Sequence, residues 1–257
     1  MAASACPHTL MPSAVNIEQF DSDDALAAAL AAHLIDAISL TPRLVVGLPT
    51  GRTPVALYRE IRSRSRRGHV DWSQVRTFNL DEFVGLGAGD AGSYRSYMQA
   101  ELFDHVRIEA GNVGMLDGRA ANLAAECARY ERAIVGAGGI DIQILGIGAN
   151  GHIGFNEPAD ALIAETHVTE LRADTRAANA GWFGGDPRRV PAHALSMGMA
   201  TILHAREIVL MATGAEKSEA VAAMIDGPIT TRLPASFLQV HSRVTVMLDR
   251  AAALRLA

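Results

Sequence analysis

Cysteine is scarce in this 257-residue chain: only Cys6 and Cys127 occur. Two cysteines cannot build a disulfide scaffold, so both are expected as free thiols in a reducing compartment. Long apolar runs are also missing, and none approaches the roughly 18 residues of a membrane span. Basic charge is not in excess, since 23 Lys and Arg face 28 Asp and Glu, and the net charge of -5 argues against nucleic acid as the main partner. No Pro/Ser/Gly linker or shift of composition divides the chain. It therefore reads as one domain over 14–257 behind a flexible tail over 1–13. That tail lacks a basic segment followed by an apolar core, so it does not read as a secretory signal, and a cytoplasmic location is expected. Metal-site spacing is missing too: there is no H-E-x-x-H and no second His or Cys at ligand distance from His152.

What is present is an alternation of apolar runs with two different periods. Strands are expected at 14–20, 43–48, 75–80, 113–116, 140–145, 207–213 and 244–248. Helices are expected at 23–38, 54–66, 93–105, 120–135 and 215–225, the first capped by Ser22 with Asp23 and Asp24 in its first turn. Such βαβ alternation predicts an α/β fold, a Rossmann-like open, mostly parallel sheet with helices on both faces. Residues 165–196 have weaker periodicity and two adjacent glycines, Gly184 and Gly185. An irregular segment of this length is a candidate lid. The basic run at 62–67 reads as a solvated helix end.

Three strand ends carry reactive groups, and a parallel sheet brings all of them to one edge. The densest is LGIGANGHIGFNEP at 145–158, where Gly146, Gly148 and Gly151 deliver His152, with Glu157 five residues on. These glycines match G-x-G-x-x-G, but a dinucleotide site needs a helix directly after the third glycine. Gly154 and Pro158 discourage one, and no acidic residue closes a second strand about 20 residues on. A histidine in such a loop is either structural or a proton carrier oriented by Glu157. The second strand end is Asp81-Glu82, which either starts a helix or offers a general base. The third, Thr50-Gly51-Arg52-Thr53-Pro54, is either a plain βα turn with a Thr cap or an anion site at a helix start. It is not a Walker loop, because Gly-Lys-Ser/Thr is missing. Lys217, after a strand and Gly214, is either a surface lysine or a counter-charge for phosphate.

The segments VVGLPTGRTPVALY, TFNLDEFVGL, LGIGANGHIGFNEP and ATGAEKSEAV occur in the order and spacing of the glucosamine-6-phosphate deaminase (isomerase) family, and the chain resembles that family from about Val15 onward. The resemblance implies conversion of glucosamine 6-phosphate to fructose 6-phosphate and ammonia, without metal or organic cofactor. It implies that His152 opens the sugar ring with Glu157 orienting it and that Asp81 moves a proton between C2 and C1. Thr50, Gly51, Arg52, Thr53 and Lys217 would then hold the sugar phosphate. Asn150 stands where many members carry an aspartate, which would leave Glu157 as the only negative charge near the histidine. Gly181 stands where the lid motif usually has an arginine, while Arg52 occupies a commonly small position, so an exchange of guanidinium source is expected. Residues 160–170 offer His167, Thr169 and Glu170 in place of the basic effector cluster of allosteric members. A second hexosamine phosphate, such as the galacto epimer, remains an alternative substrate. A sugar-phosphate-sensing regulator is the non-enzymatic alternative, disfavoured because too few residues precede Ala14 for a DNA-binding segment. Phe155-Asn156-Glu157 disfavours a lactonase. The oligomeric state stays open.

Overall fold

The computed structural model describes residues 15–68 and 70–256. The tail expected over 1–13, with Cys6, lies outside them. Among the described residues ten strands and seven α-helices follow one another as β1 (Asn16–Phe20), α1 (Asp23–Leu40), β2 (Val45–Leu48), α2 (Pro54–Arg66), β3 (Arg76–Asn79), β4 (Asp81–Phe83), α3 (Tyr94–Glu101), β5 (Val113–Gly114), α4 (Leu123–Gly136), β6 (Ile142–Leu145), β7 (His167–Glu170), α5 (Ala173–Asn179), β8 (His193–Ser196), α6 (Met199–Leu203), β9 (Glu207–Ala212), α7 (Ser218–Asp226) and β10 (Val244–Asp249).

Seven strands form one parallel sheet in the order β1-β10-β9-β6-β2-β3-β5. Side-chain alternation along the inner strands splits the core in two. Val46, Leu48, Ile142, Ile144, Val209 and Met211 join Leu26, Leu30 and Leu34 of α1 and Leu57 and Ile61 of α2 on one face. Val45, Leu145, Ile208 and Leu210 join Tyr130 and Ile134 of α4 and Val221 and Met224 of α7 on the other. Helix α1 starts as expected, with the Ser22 hydroxyl accepting from the Ala25 amide at 3.2 Å. From β2 the chain steps to β3 and β5 on one side, then returns to build β6, β9 and β10 on the other. The order thus reverses between β2 and β6. At such a reversal, loops leave adjacent strands in opposite directions and open a crevice at the carboxyl ends.

A second, antiparallel sheet, β4-β8-β7, was not expected. Asp81-Glu82 does not start a helix. The chain stays extended because β8 supplies a ladder, with Asp81 opposite Ser196 and Phe83 opposite Ala194. Segment 165–196 is also more regular than expected: β7 and β8 are its paired ends, with α5 and two short 3-10 turns between them. It rests on a third apolar cluster of Phe83, Tyr94, Phe155, Leu171, Ala180, Val190 and Ala194. The basic run on α2 is only partly solvated. Arg62 bonds Glu101 of α3 at 2.7 Å and Arg64 donates to the Ala28 carbonyl of α1 at 3.1 Å, which leaves Arg66 and Arg67 exposed. Smaller departures lie at element ends. The third expected helix closes as a 3-10 turn at Phe103–His105, and α7 is preceded by one at Ala215–Lys217. Cys127 is free and buried. Among the described residues no helix is long and apolar enough to cross a membrane.

Gly198, before α6, lies against the chain that leads into β7: a Cβ there would fall 2.2 Å from the Glu165 carbonyl oxygen and 2.4 Å from that of Ala164. Because those neighbours are backbone, Gly198→Ala should destabilise the protein by about 1–3 kcal/mol in urea unfolding, the usual range for overpacking. An unchanged midpoint would mean that residues 164–165 are not held there.

Candidate active site

The two carboxylates that follow β3 are given different tasks. Glu82 turns inward and accepts from the amides of Phe83 (2.8 Å), Tyr94 (3.0 Å) and Arg95 (2.9 Å). It thereby satisfies donors at the start of α3. Asp81 points the other way, into a cleft, and among the described residues only the Thr50 hydroxyl comes within hydrogen-bond reach, at 3.4 Å. The carboxyl is 6% exposed. Burial and the adjacent Glu82 charge push its pKa up to about 8. Among the described residues no cation is hydrogen-bonded or ion-paired to it, and burial favours its protonated form.

Across the cleft stands His152, on the loop that follows β6. Gly148 lets the ring pack, since a Cβ there would lie 2.2 Å from the imidazole. Gly151 has φ +83° at the turn. The ring's nearest partner is Asn150, whose Oδ1 is 2.7 Å from Nδ1, with Glu157 Oε2 at 3.5 Å. The Asn150 Nδ2 faces two carboxylates, Glu157 at 3.0 Å and Asp174 at 3.4 Å. Only the nitrogen can donate to those acids, so Oδ1 must face the ring and Nδ1 must carry the proton. Nε2 is left with its lone pair. Burial lowers the imidazole pKa, opposed by the charge of Glu157 and helped by that of Lys217. The expectation that Glu157 would be the only negative charge here is corrected by Asp174 of α5, 24 positions from Asn150. Glu157 is held from its far side by the Thr175 hydroxyl, also on α5.

The third element is the loop between β2 and α2. Gly51 takes φ +104°, and the Gly51 carbonyl is held by the Tyr97 hydroxyl at 2.8 Å, that of Pro49 by Tyr58. Thr53 adopts helical angles and makes no cap bond, so the simple Thr-cap reading of this turn is overturned. Arg52 leans toward α5's end: a Cβ added to Gly181 would lie 3.3 Å from its Nη2. Lys217 lies in the same cleft, its pKa lowered by burial and by the Arg52 charge against the pull of Glu216.

One cleft of about 750 Å³ is lined by Thr50, Gly51, Arg52, Thr53, Asp81, Asn150, His152 and Lys217. Glu157 stands behind them, 9% exposed. The expected site residues are thus brought together from the ends of β2, β3, β6 and β9. Sequence reasoning missed Asp174, Thr175, Asn179 and Trp182 from segment 165–196, and Tyr94 from α3. The signs of the former group were the irregular stretch that contains them and, for Asn179 and Trp182, the resemblance of residues 179–183 to the family's lid motif. Among the described residues no group of His, Cys, Asp and Glu is arranged to hold a metal ion.

The profile of the family described as glucosamine-6-phosphate isomerases/6-phosphogluconolactonase matches residues 19–247. A glucosamine-6-phosphate deaminase of Clostridium botulinum (strain Kyoto / Type A2) is 44% identical over 236 residues, covering 92% of this chain and 96% of the relative. Glucosamine-6-phosphate deaminase 2 of Bacillus subtilis (strain 168) is 47% identical over 227 residues, covering 88% and 91%. The solved structure of a monomeric glucosamine-6-phosphate deaminase superposes with a TM-score of 0.90 at 40% identity, covering 93% of this chain and 99% of that one. A 6-phosphogluconolactonase from Thermotoga maritima shares the fold, with a TM-score of 0.71 at 19% identity.

Asp81 also sets a pH dependence of stability. Its folded-state pKa of about 8 lies above the ordinary value of 3.8, so the fold favours the protonated acid. The penalty for ionising it is absent near pH 4 and grows as pH rises through 8, with each pH unit of displacement worth about 1.4 kcal/mol. Asp81→Asn should therefore melt several degrees above the wild type at pH 8, while the two converge at pH 4. A pH-independent difference would show that Asp81 titrates normally.

Proposed function

The chain belongs to the glucosamine-6-phosphate isomerase/6-phosphogluconolactonase family, and we propose that within it the protein is a deaminating aldose–ketose isomerase of glucosamine 6-phosphate. Water is consumed and ammonia leaves, so the overall reaction yields fructose 6-phosphate by hydrolysis of a carbon–nitrogen bond. The observation that carries this reading is the placement of an unpaired, basic carboxylate opposite a neutral imidazole. Both lie in one cleft with an Arg/Lys-lined loop. The relatives at 44% and 47% identity, both named deaminases, support the same choice over the lactonase branch.

The chemistry follows from the protonation states. Nε2 of His152 takes the anomeric hydroxyl proton and returns one to the ring oxygen, opening the pyranose. The transient imidazolium is balanced by Glu157 and Asp174, with the Asn150 amide between them. Ionised Asp81 then abstracts the C2 proton of the open chain and delivers one to C1. Its raised pKa makes it a stronger base than an ordinary carboxylate, and the substrate's own ammonium at C2 favours the charged form. The resulting ketimine adds water and loses ammonia. Positioned acid–base groups of this kind contribute about 10² to 10⁴-fold each. Binding of the phosphate fixes C2 against Asp81.

Incubation with a panel of hexosamine 6-phosphates, read as ammonia release, tests the substrate. Glucosamine 6-phosphate should give the highest kcat/KM, and a preference for the galacto epimer would replace it as substrate. Asp81→Asn should abolish both release and solvent-hydrogen exchange at C2. The saturation curve should be hyperbolic and unmoved by N-acetylglucosamine 6-phosphate, since His167, Thr169 and Glu170 stand where an effector would need cations. Exchange that persists in the Asp81 variant would assign the base elsewhere.

The phosphate clamp is tested separately. Arg52 supplies a guanidinium beside Lys217, at the place where a side chain on residue 181 would begin. Arg52→Gly should weaken sugar-phosphate binding on the order of 10 to 150-fold, the value of one charge-assisted bond of roughly 1.5–3 kcal/mol. Adding Gly181→Arg to that variant should recover much of the loss, because both residues address the same point. An unchanged KM in the single variant would remove Arg52 from the clamp.

A further inference from the structure

Helix α5 has one residue whose side chain behaves unlike a helix residue. Thr175 is 3% exposed, in the first turn of α5, where a threonine hydroxyl ordinarily turns back to its own backbone. Here it donates instead to Glu157 Oε1, 18 positions away. The other oxygen of that carboxylate takes the Asn150 amide at 3.0 Å, and Asn150 holds the His152 ring at 2.7 Å. The backbone carbonyl of the same Thr175 accepts from Asn179 at 2.9 Å, and Asn179 accepts from the Tyr94 hydroxyl at 3.2 Å. Tyr94 is buried and lies close enough to Asp81 to feel its charge. One helix of seven residues is therefore bonded to the support of His152 and to a tyrosine beside Asp81.

We propose that Thr175 is the positioning residue of the ring-opening histidine: its hydroxyl fixes the rotamer of Glu157, which fixes Asn150 and so the tautomer and aim of His152. The assignment of ring opening to His152 rests on the deaminase reading; the bonded chain from Thr175 to the imidazole does not. Glu157 has two oxygens and three neighbours that compete for them, Thr175, Asn150 and the His152 ring. With the threonine donor in place one oxygen is committed, and the other faces Asn150. Without it the carboxylate is short of a donor and turns further toward the amide and the imidazole. The charged groups facing His152 are Glu157, Asp174 of α5 and Lys217 of the turn after β9. Asp174 is exposed and bonds Asn150 only at 3.4 Å, so it is the weaker of the two acidic supports.

The test pairs Thr175→Val, which keeps shape and removes the donor, with Thr175→Ser, which keeps the donor. On glucosamine 6-phosphate, Thr175→Val should lower kcat by about 10-fold or more with KM little changed, the size of one lost bond to a charged group. On an analogue methylated at the 5-hydroxyl, which cannot close the six-membered ring, the loss should be small. Thr175→Ser should restore the cyclic substrate to within about threefold. In the free protein, NMR titration of the His152 imidazole should give a midpoint raised by about half a pH unit or more in Thr175→Val and unmoved in Thr175→Ser. Equal losses on both substrates, a serine variant as poor as valine, or an unmoved imidazole midpoint would each overturn the proposal. A wild type that releases no ammonia would instead overturn the deaminase reading, while the imidazole titration still decides the role of Thr175.

Discussion

Taking two adjacent carboxylates out of water is the constraint around which this site is organised. Asp81 and Glu82 follow one another at the end of a central strand, and both are nearly inaccessible. Buried charges need partners, and three backbone amides at the start of α3 supply them for Glu82. Asp81 receives only a distant hydroxyl. The antiparallel pairing of β4 with β8 makes the division possible, because successive residues on a strand point to opposite sides. A helix start at the same place would have put both acids near one dipole and left no carboxyl facing the cleft. Burial still raises the Glu82 pKa against those three amides, and the aromatic cluster of Phe83, Tyr94 and Phe155 packs beneath the pair.

The histidine side of the cleft solves a different electrostatic problem. A carboxylate in direct contact with the ring would favour the imidazolium and spoil it as an acceptor. Here a neutral amide makes the nearest contact at 2.7 Å, with Glu157 at 3.5 Å from the ring and Asp174 beyond the amide. The Glu157 and Asp174 charges favour a cation at the ring, while burial favours its neutral form. The amide also settles the tautomer, since its nitrogen is drawn to Glu157 and Asp174.

At the Arg/Lys end of the cleft one small residue makes room for a side chain from another loop. Gly181 leaves room at the end of α5, and the Arg52 guanidinium extends into that room from the opposite loop. Two tyrosines, Tyr58 and Tyr97, hold the carbonyls of this loop, so its amides and the arginine are carried on a fixed frame. The same segment that provides Gly181 carries Thr175 and Asn179, so the room beside Arg52 and the bonds to Glu157 and Tyr94 come from one short stretch of chain.

Period and punctuation in the sequence determined the parallel sheet, the α1 cap and the gathering of three loops at one edge. Strands β2, β3, β6 and β9 are local apolar runs, and any open parallel sheet carries their following loops to the same side. Residue type did the rest for Asp81, His152, Glu157, Thr50 and Lys217, because those side chains have few uses at such a place. Tertiary structure alone decided which of two adjacent acids would be free, that Asn150 stands between His152 and Glu157, and that Asp174 and Thr175 complete the support. The first and the last depend on residues brought from far along the chain, Ser196 opposite Asp81 and α5 opposite the histidine loop, while the Asn150 contacts are local and their orientation is set by Asp174 of α5. No local pattern marks such a pairing. A hydroxyl on a short helix has the same sequence signature whether it meets its own backbone or a carboxylate 18 residues away.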